Sequence, residues 1–298
     1  MNSAADTLVA TGARTAGWAR LGDFASLTKP RIVVMELITV AIAMQVASGG
    51  AWTPSAFWAA IIGAGLVAGS ANALNMWIEQ PYDAQMRRTR RRPLPAGRLA
   101  ASEVMTFSAV TLVAGTVLLA LFVNTATTVI GVACWLTYVA LYTPMKRRTA
   151  WNTTVGAVSG ALPILMGWTA GGGALDLTAW ALVGVLFFWQ YPHFMAIAWM
   201  YREDYIEVGY KMTTTVDPTG WHAGLQAVFG SIALWGVSIL PAVSHEAVYV
   251  SIVSVLALVM LWPSIQFCRA PSDPAAKRLL RASLVYLPLW LVAFWMCW

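Results

Sequence analysis

The sequence contains very little charge. Asp, Glu, Lys and Arg make up 11% of its 298 residues, whereas 59% are apolar. An average soluble domain is about 25% charged, and a chain with so few charges could not cover a surface exposed to water. The composition excludes a soluble enzyme, a disordered chain and a coiled coil, and it is typical of a polytopic membrane protein.

Cysteines are also few and follow no pattern. Cys134, Cys268 and Cys297 are scattered among apolar residues, with no CxxC, haem-attachment or zinc-binding spacing. We interpret all three as small apolar residues of the interior. The first 27 residues lack a long apolar stretch before a cleavage site. We expect residues 1–27 to be a flexible tail and residues 28–298 to form one domain.

Long apolar runs dominate the remainder of the chain. A transmembrane helix needs about 20 mostly apolar residues, and runs of this kind occur nine times, separated by turn-forming residues. The sequence therefore predicts an all-α polytopic membrane protein with nine transmembrane helices. The predicted spans are Ile32–Ala47, Phe57–Ile78, Val104–Val123, Thr127–Tyr142, Thr153–Ala170, Thr178–Met200, Ala223–Leu240, Ala247–Phe267 and Ala282–Trp298.

The basic residues are distributed asymmetrically along these spans. Every Lys and Arg falls before the first span or in the loops after spans 2, 4, 6 and 8, and the other loops contain none. By the positive-inside rule this predicts a cytoplasmic N-terminus and an external C-terminus in the plasma (inner) membrane. The same rule explains the net charge of +6, so we expect the lipid bilayer, and no nucleic acid, as a partner.

Oxygen-bearing side chains cluster on this basic side in two places. Residues four apart lie on one face of a helix, and each cluster contains such spacings. Two facing walls of this kind would offer the carboxylate and amide oxygens that Mg²⁺ prefers. The clusters are Asn75, Glu79 and Asp83 at the end of the second span, and Glu203, Asp204 and Glu207 after the sixth.

Pro81 complicates the first cluster. A proline within a helix removes one backbone hydrogen bond and clashes with the carbonyl four residues earlier. We therefore expect the helix to kink or end near Glu79, which would take Asp83 off the face shared by Asn75 and Glu79.

Basic residues flank both clusters. Arg and Lys beside Mg²⁺-binding carboxylates describe a site for a diphosphate. An arginine run at a cytoplasmic loop is also a common topogenic signal, and the run over residues 87–92 fits either interpretation.

Several segments together resemble the UbiA superfamily of intramembrane prenyltransferases, and within it the haem O synthase (protohaem IX farnesyltransferase) branch. The acidic clusters are typical of the superfamily. Two further runs, Lys-Arg-Arg-Thr-Ala-Trp-Asn at 146–152 and Pro-His-Phe at 192–194, are similar to the haem O synthase branch. Two departures stand out: Glu79-Gln80-Pro81-Tyr82 replaces a more charged segment, and Arg202-Glu203-Asp204 replaces Lys-Asp-Asp.

The resemblance implies nine helices around a central cavity and transfer of a farnesyl group from farnesyl diphosphate to a vinyl group of haem b, with Mg²⁺ as cofactor. It leaves open a downstream haem-modifying membrane enzyme as a partner. Both acidic clusters would hold Mg²⁺ and serve catalysis. The substrate-binding residues implied are Arg31, Arg88, Arg92, Tyr142, Lys146, Arg147, Asn152, His193, Arg202 and Lys211.

Some alternatives stay open at this point. A lone histidine in an apolar helix, such as His193, is commonly a hydrogen-bonded core residue, and a haem contact is the competing interpretation. The acceptor could instead be a quinone precursor or a chlorophyll-type tetrapyrrole. A membrane transporter is the alternative from another class, although internal repeats and polar residues at mid-membrane, common in transporters, are not evident.

Overall fold

A computed structural model describes residues 17–241 and 243–298, and these residues are helical with no β-strand. Nine helices of 18 or more residues follow one another in the described part of the chain. They are α1 (Pro30–Ala47), α2 (Pro54–Asp83), α3 (Ala101–Phe122), α4 (Thr125–Met145), α5 (Asn152–Ala170), α6 (Leu177–Met200), α7 (Trp221–Ser238), α8 (Glu246–Arg269) and α9 (Asp273–Cys297).

Seven of these nine helices are long and apolar enough to cross a membrane. The other two, α5 and α7, carry more Gly, Ser, Thr and amide side chains, which lowers their hydropathy. The chain is thus an all-α, multi-pass membrane protein. The count of nine spans stays a prediction.

Short polar side chains begin several of the helices. Thr53, Asn124, Asp176 and Ser272 each accept a hydrogen bond from the backbone N–H three residues later. Such caps satisfy backbone donors that the first turn of a helix leaves unpaired. They fix where α2, α4, α6 and α9 begin.

The end of α2 differs from the expectation based on Pro81. The helix continues through Pro81 to Asp83, and Asp83 is completely buried. Pro81 lies in the last turn, so its missing N–H removes one hydrogen bond just before the helix ends anyway. The prediction that α2 ends near Glu79 and turns Asp83 away was wrong.

The helices pack mainly against their neighbours in sequence, and two pairings close the bundle: α1 packs against α5, and α6 against α9. Contacts between loops define two ends. At one end, which we call the basic end, the loop after α4 contacts the loop after α6 through Lys211 N–H and the Lys146 carbonyl. At the other end, Asn124 donates to the Thr169 carbonyl.

The predicted N-terminal tail is partly structured. Residues 17–27 are helical, Leu27 is completely buried, and Asp23 pairs with Arg98 at 3.0 Å. Leu27 and Asp23 thus attach the last part of the predicted tail to the rest of the chain. Residues 1–16 of the predicted tail, including Arg14, lie outside the described residues.

At the basic end, Asp217 forms hydrogen bonds with the residues that begin α7. Its carboxylate accepts hydrogen bonds from the hydroxyl and backbone N–H of Thr219 and from the backbone N–H of His222. These hydrogen bonds lower the pKa of Asp217 to about 2.

Candidate active site

A cavity of about 570 Å³ opens between α1, α2, α4, α5, α6 and α9 at the basic end. Its outer part is lined by charged and phenolic side chains, and its inner part by apolar ones. The charged lining residues are Lys29, Arg31, Glu36, Glu79, Asp83, Arg88, Arg92 and Lys146. The cavity therefore joins a polar chamber to an apolar one, the arrangement that a ligand with a charged head and an apolar tail requires.

The first acidic cluster forms one wall of the polar chamber. Asn75, Glu79 and Asp83 all line the cavity and are each less than 7% exposed. Glu79 pairs with Lys146 at 2.6 Å, and Asp83 pairs with Arg92 at 2.6 Å. The structure therefore places this part of the predicted site together, with a cation beside each carboxylate.

Lys29 completes this wall and was not among the predicted site residues. Its ammonium donates to Asn75 Oδ1 at 2.8 Å and to the Tyr138 hydroxyl at 3.2 Å. Its backbone is left-handed, at φ 52°, a conformation that costs a residue other than glycine about 1–2 kcal/mol. Burial lowers the pKa of Lys29 to about 7, against the attraction of Glu79. An anion bound nearby would hold Lys29 in its charged form.

The arginine run after α2 divides between two environments. Arg88 and Arg92 line the cavity, as does Arg31 from the start of α1. Arg147 does not: it lies over the Tyr82 ring and donates to its hydroxyl at 2.6 Å, outside the lining. The remaining members of the run, Arg87, Arg90 and Arg91, are exposed. Three of the five predicted arginines thus reach the polar chamber, and Arg147 and Arg202 do not.

Aromatic side chains form a further part of the chamber wall. Tyr138 and Tyr142 belong to a π-helical turn of α4 spanning Thr137–Tyr142, and both line the cavity with ring centroids 5.3 Å apart. The Lys146 ammonium lies 4.6 Å from the Tyr142 ring centroid. Burial opposes the charged form of Lys146, yet Glu79 and the neighbouring tyrosines hold its pKa well above the usual value. Glu79 and the tyrosines therefore favour the charged form of Lys146 in the chamber.

The second acidic cluster does not reach the cavity, which corrects the prediction of two facing walls. Helix α6 ends at Met200, Tyr201 leaves the helical conformation, and a separate short helix, Arg202–Glu207, carries the acids. Because the register of α6 is broken there, Tyr205 lines the cavity instead of an acid. The Glu203 side chain is 89% exposed, Asp204 is half-buried and Glu207 is exposed.

Three predicted substrate-binding residues instead hold loops together. Asn152 is completely buried, and its amide donates to the carbonyls of Thr149 and Lys211. Lys211 thus contributes its backbone, and its side chain lies outside the cavity lining. Arg202 donates to the Asp273 carboxylate at 2.9 Å, which ties the end of α6 to the start of α9. These three residues form hydrogen bonds that join neighbouring loops and helix ends. A sequence motif does not show that a polar residue has this structural role.

His193 lines the apolar chamber from α6, together with Trp189 and Phe194. Its ring stacks on Trp189 at a centroid distance of 4.8 Å, and its Nδ1 lies 2.9 Å from the Ser283 hydroxyl of α9. The histidine is thus hydrogen-bonded and faces the cavity at the same time. Both interpretations of His193 from the sequence find support in this arrangement.

Glu36 is the one acid of the apolar chamber within the described residues. It lies two turns inside α1 and lines the cavity beside Cys134 and Pro163. An ionisable residue within a membrane helix usually faces a cavity or a partner, and Glu36 faces the cavity.

The oxygen atoms of the first acidic cluster, Asn75, Glu79 and Asp83, fit a site for a single Mg²⁺. Among the described residues, no three His, Cys, Asp or Glu side chains converge, so a site built from protein carboxylates alone is not formed. However, Asp83 Oδ1 is buried in the wall with no hydrogen-bond partner, and Glu79 lies one turn away. Mg²⁺ commonly binds one or two carboxylates together with substrate phosphates. Glu79, Asp83 and Asn75 therefore fit the protein's share of such a site.

The amino-acid sequence is similar to those of several curated proteins. The chain is 46% identical over 272 residues to a protein of Rhodopirellula baltica named protoheme IX farnesyltransferase, covering 88% of this chain and 95% of the relative. It is 37% identical over 274 residues to a protein of Opitutus terrae with the same name, covering 91% and 92%.

Solved structures share the fold. A digeranylgeranylglyceryl phosphate synthase structure superposes with a TM-score of 0.74 at 16% identity, covering 94% of this chain and 98% of the other. A UbiA homologue from Archaeoglobus fulgidus bound to GPP and Mg²⁺ has a TM-score of 0.67 at 13% identity, covering 91% and 99%. The UbiA prenyltransferase family model matches residues 37–297. On this evidence, the chain belongs to the UbiA prenyltransferase family.

Proposed function

We propose that this protein transfers a farnesyl group from farnesyl diphosphate to a vinyl group of haem b, which gives haem O. The observation that carries the proposal is the cavity with a cationic, carboxylate-bearing chamber joined to an apolar one. The names of relatives that are up to 46% identical over most of the chain support this reaction.

The polar chamber suits the leaving group. Ionisation of an allylic diphosphate breaks the C–O bond, and the electron pair leaves with the diphosphate. Lys146, Arg88 and Arg92 line the chamber and would stabilise the charge that develops on its oxygens. Mg²⁺ held by Asn75, Glu79 and Asp83 would supply further charge neutralisation there. Lys29 would hold Asn75 in position and add its own charge.

The apolar chamber suits the two carbon skeletons. The farnesyl chain would lie between α1, α5 and α6, and the haem would present a vinyl group to the allylic carbon. The terminal vinyl carbon forms the new C–C bond, water adds to the resulting cation as a hydroxyl group, and one proton is released. This scheme needs no covalent nucleophile from the protein. We assign His193 to contact with haem and Arg31 to the anionic end of either substrate.

The distribution of basic residues supports an orientation for the whole protein. We infer that the basic end faces the cytoplasm in the plasma membrane, with the N-terminus inside and the C-terminus outside, by the positive-inside rule. The polar chamber would then open towards the cytoplasm, where the charged diphosphate is soluble.

The direct test is incubation of the purified protein with haem b, farnesyl diphosphate and Mg²⁺, followed by mass spectrometry of the haem. We expect haem with the added mass of one farnesyl group and one hydroxyl group. Omission of Mg²⁺ should abolish the product. Absence of the product, with prenylation of a quinone precursor or a chlorophyll-type tetrapyrrole instead, would overturn the proposed acceptor. Absence of diphosphate release from any acceptor mixture would favour a transporter.

A further inference from the structure

One buried hydroxyl connects the cavity histidine to the neighbouring helix. Ser283 of α9 is completely buried and does not line the cavity. Its hydroxyl lies 2.9 Å from His193 Nδ1, and its carbonyl accepts the indole N–H of Trp189 at 2.7 Å. Trp189 and His193 are one turn apart on α6 and stack on each other. Ser283 therefore anchors both rings of this pair from outside the cavity.

The hydrogen bonds of Ser283 determine which nitrogen of His193 carries the proton. A serine hydroxyl has a single hydrogen to donate. The Ser283 hydroxyl lies 2.7 Å from the Leu280 carbonyl, which can only accept. If the hydroxyl donates to Leu280, it accepts from His193 Nδ1–H, and both contacts are satisfied. If it donates to His193 instead, the Leu280 contact is lost. The arrangement that satisfies both contacts is the Nδ1–H tautomer.

In this tautomer the other ring nitrogen keeps its lone pair. Nε2 forms no hydrogen bond with the residues that the structure describes and is not among their fully buried unpaired atoms. Because His193 lines the cavity, an accessible Nε2 lies at the cavity surface. A neutral imidazole whose Nδ1–H is held by a hydrogen-bond acceptor is the usual form of a metal-ligating histidine.

We propose that Ser283 is a positioning residue that fixes His193 with its Nε2 lone pair directed into the apolar chamber, as an axial ligand for the iron of a bound haem. This proposal rests on the proposed function, because haem is the acceptor there. Ligation would set the height and tilt of the porphyrin in the cavity, and hence which vinyl group meets the allylic carbon. Stacking on Trp189 limits rotation of the imidazole about its own axis.

The test uses the full chain in lipid nanodiscs, titrated with ferric haem b without farnesyl diphosphate. In Ser283→Ala the imidazole loses its acceptor, and loss of such a partner typically weakens metal binding by about 10–100-fold. We expect weaker haem binding and a shifted Soret band, while Ser283→Thr restores both. Metal-free protoporphyrin IX should bind Ser283→Ala and wild type equally, because it contains no iron to ligate.

Two further variants separate positioning from general stability. Ser264 is also completely buried, its hydroxyl donates to the carbonyl four residues earlier, and it lies outside the cavity lining. Ser264→Ala should lower the melting temperature as Ser283→Ala does, without a change in the haem spectrum. In a His193→Ala background, Ser283→Ala should have no additional effect on haem affinity, because both changes remove the same interaction.

Unchanged haem affinity and spectrum in Ser283→Ala would overturn the proposal, as would an equal loss of protoporphyrin IX binding or an additive effect in the His193→Ala background. The outcome is independent of the test of function. Wild-type protein that forms haem O while Ser283→Ala leaves haem binding unchanged refutes the positioning role alone. Histidine-dependent haem binding without any haem O refutes the proposed reaction alone.

Discussion

Variants of the ion pair between Glu79 and Lys146 should change protein stability and catalytic turnover in different ways. The two charged groups lie 2.6 Å apart with side chains only 7% and 14% exposed. Removing one partner of a buried pair costs about 3–5 kcal/mol, because it leaves an uncompensated charge. Glu79→Gln keeps the shape of the side chain and leaves Lys146 charged. The Tyr142 ring also contacts the Lys146 ammonium and partly compensates its charge. We therefore expect the free energy of unfolding to fall by about 3 kcal/mol, the lower end of that range.

Turnover should fall for a different reason. Glu79 is assigned to the Mg²⁺ site, and its loss would remove stabilisation of the leaving diphosphate. We expect a decrease of about 100-fold in turnover, equivalent to about 2.7 kcal/mol in activation free energy. Haem binding should survive, because the apolar chamber is unchanged.

The double variant Glu79→Gln/Lys146→Met distinguishes the two effects. With both charges removed, no uncompensated charge is buried, and replacing a buried pair by neutral groups is often nearly neutral for stability. We expect the double variant to be more stable than either single variant, with turnover still lowered by at least about 100-fold. The measurements are the free energy of unfolding in a detergent titration and the rate of haem O formation by mass spectrometry.

An exposed pair serves as the control. Arg98 and Asp23 lie 3.0 Å apart outside the cavity, with side chains 45% and 17% exposed. Asp23→Asn should lower stability by less than about 1 kcal/mol and leave turnover unchanged. Additive destabilisation in the double variant Glu79→Gln/Lys146→Met, or wild-type turnover in Glu79→Gln, would refute the reasoning.

Three further predictions follow from other parts of the structure. Topology reporters fused at Gly172 and Arg147 should report the outside and the inside, respectively, and the same side for both would refute the orientation. Gly156→Ala would place a Cβ 2.7 Å from the Tyr142 ring, so turnover should fall with little change in melting temperature; unchanged turnover would argue against this wall of the cavity. Since the pKa of Asp217 is lowered from 3.8 to about 2 on folding, its contribution to stability is complete above pH 4 and lost as pH falls towards 2. Asp217→Asn should remove that part of the acid dependence in a melting series, and an unchanged acid dependence would contradict it.

Much of the architecture could be predicted because it depends on local sequence. Apolar runs of membrane length place the nine helices to within a few residues at most ends, since the bilayer requires every span to be apolar and helical. The i, i+4 spacing of Asn75 and Glu79 predicted one shared wall, and both residues line the cavity together with Asp83, which the expectation based on Pro81 had excluded.

The same reasoning from residue spacing failed at the break between α6 and the short helix that follows it. Glu203 and Glu207 have i, i+4 spacing, but they lie on a short helix that begins after the break at Tyr201. A periodic pattern predicts which residues share a face; it does not predict which way that face points once the helix axis changes. Pro81 shows the converse, since a residue that usually breaks helices lies in the last turn of α2 and breaks nothing.

By itself, the sequence determined a multi-pass helical protein with its Lys and Arg gathered at one end, because hydropathy and charge act on each segment independently. Only the tertiary structure decided which cations meet which carboxylates: Lys146 reaches Glu79 across 67 positions, and Lys29 reaches Asn75 across 46. It also decided that a π-helical turn directs Tyr138 and Tyr142 into the cavity. The physical reason is that such pairs depend on the relative rotation and height of separate helices, which packing of many side chains fixes together and no single segment encodes.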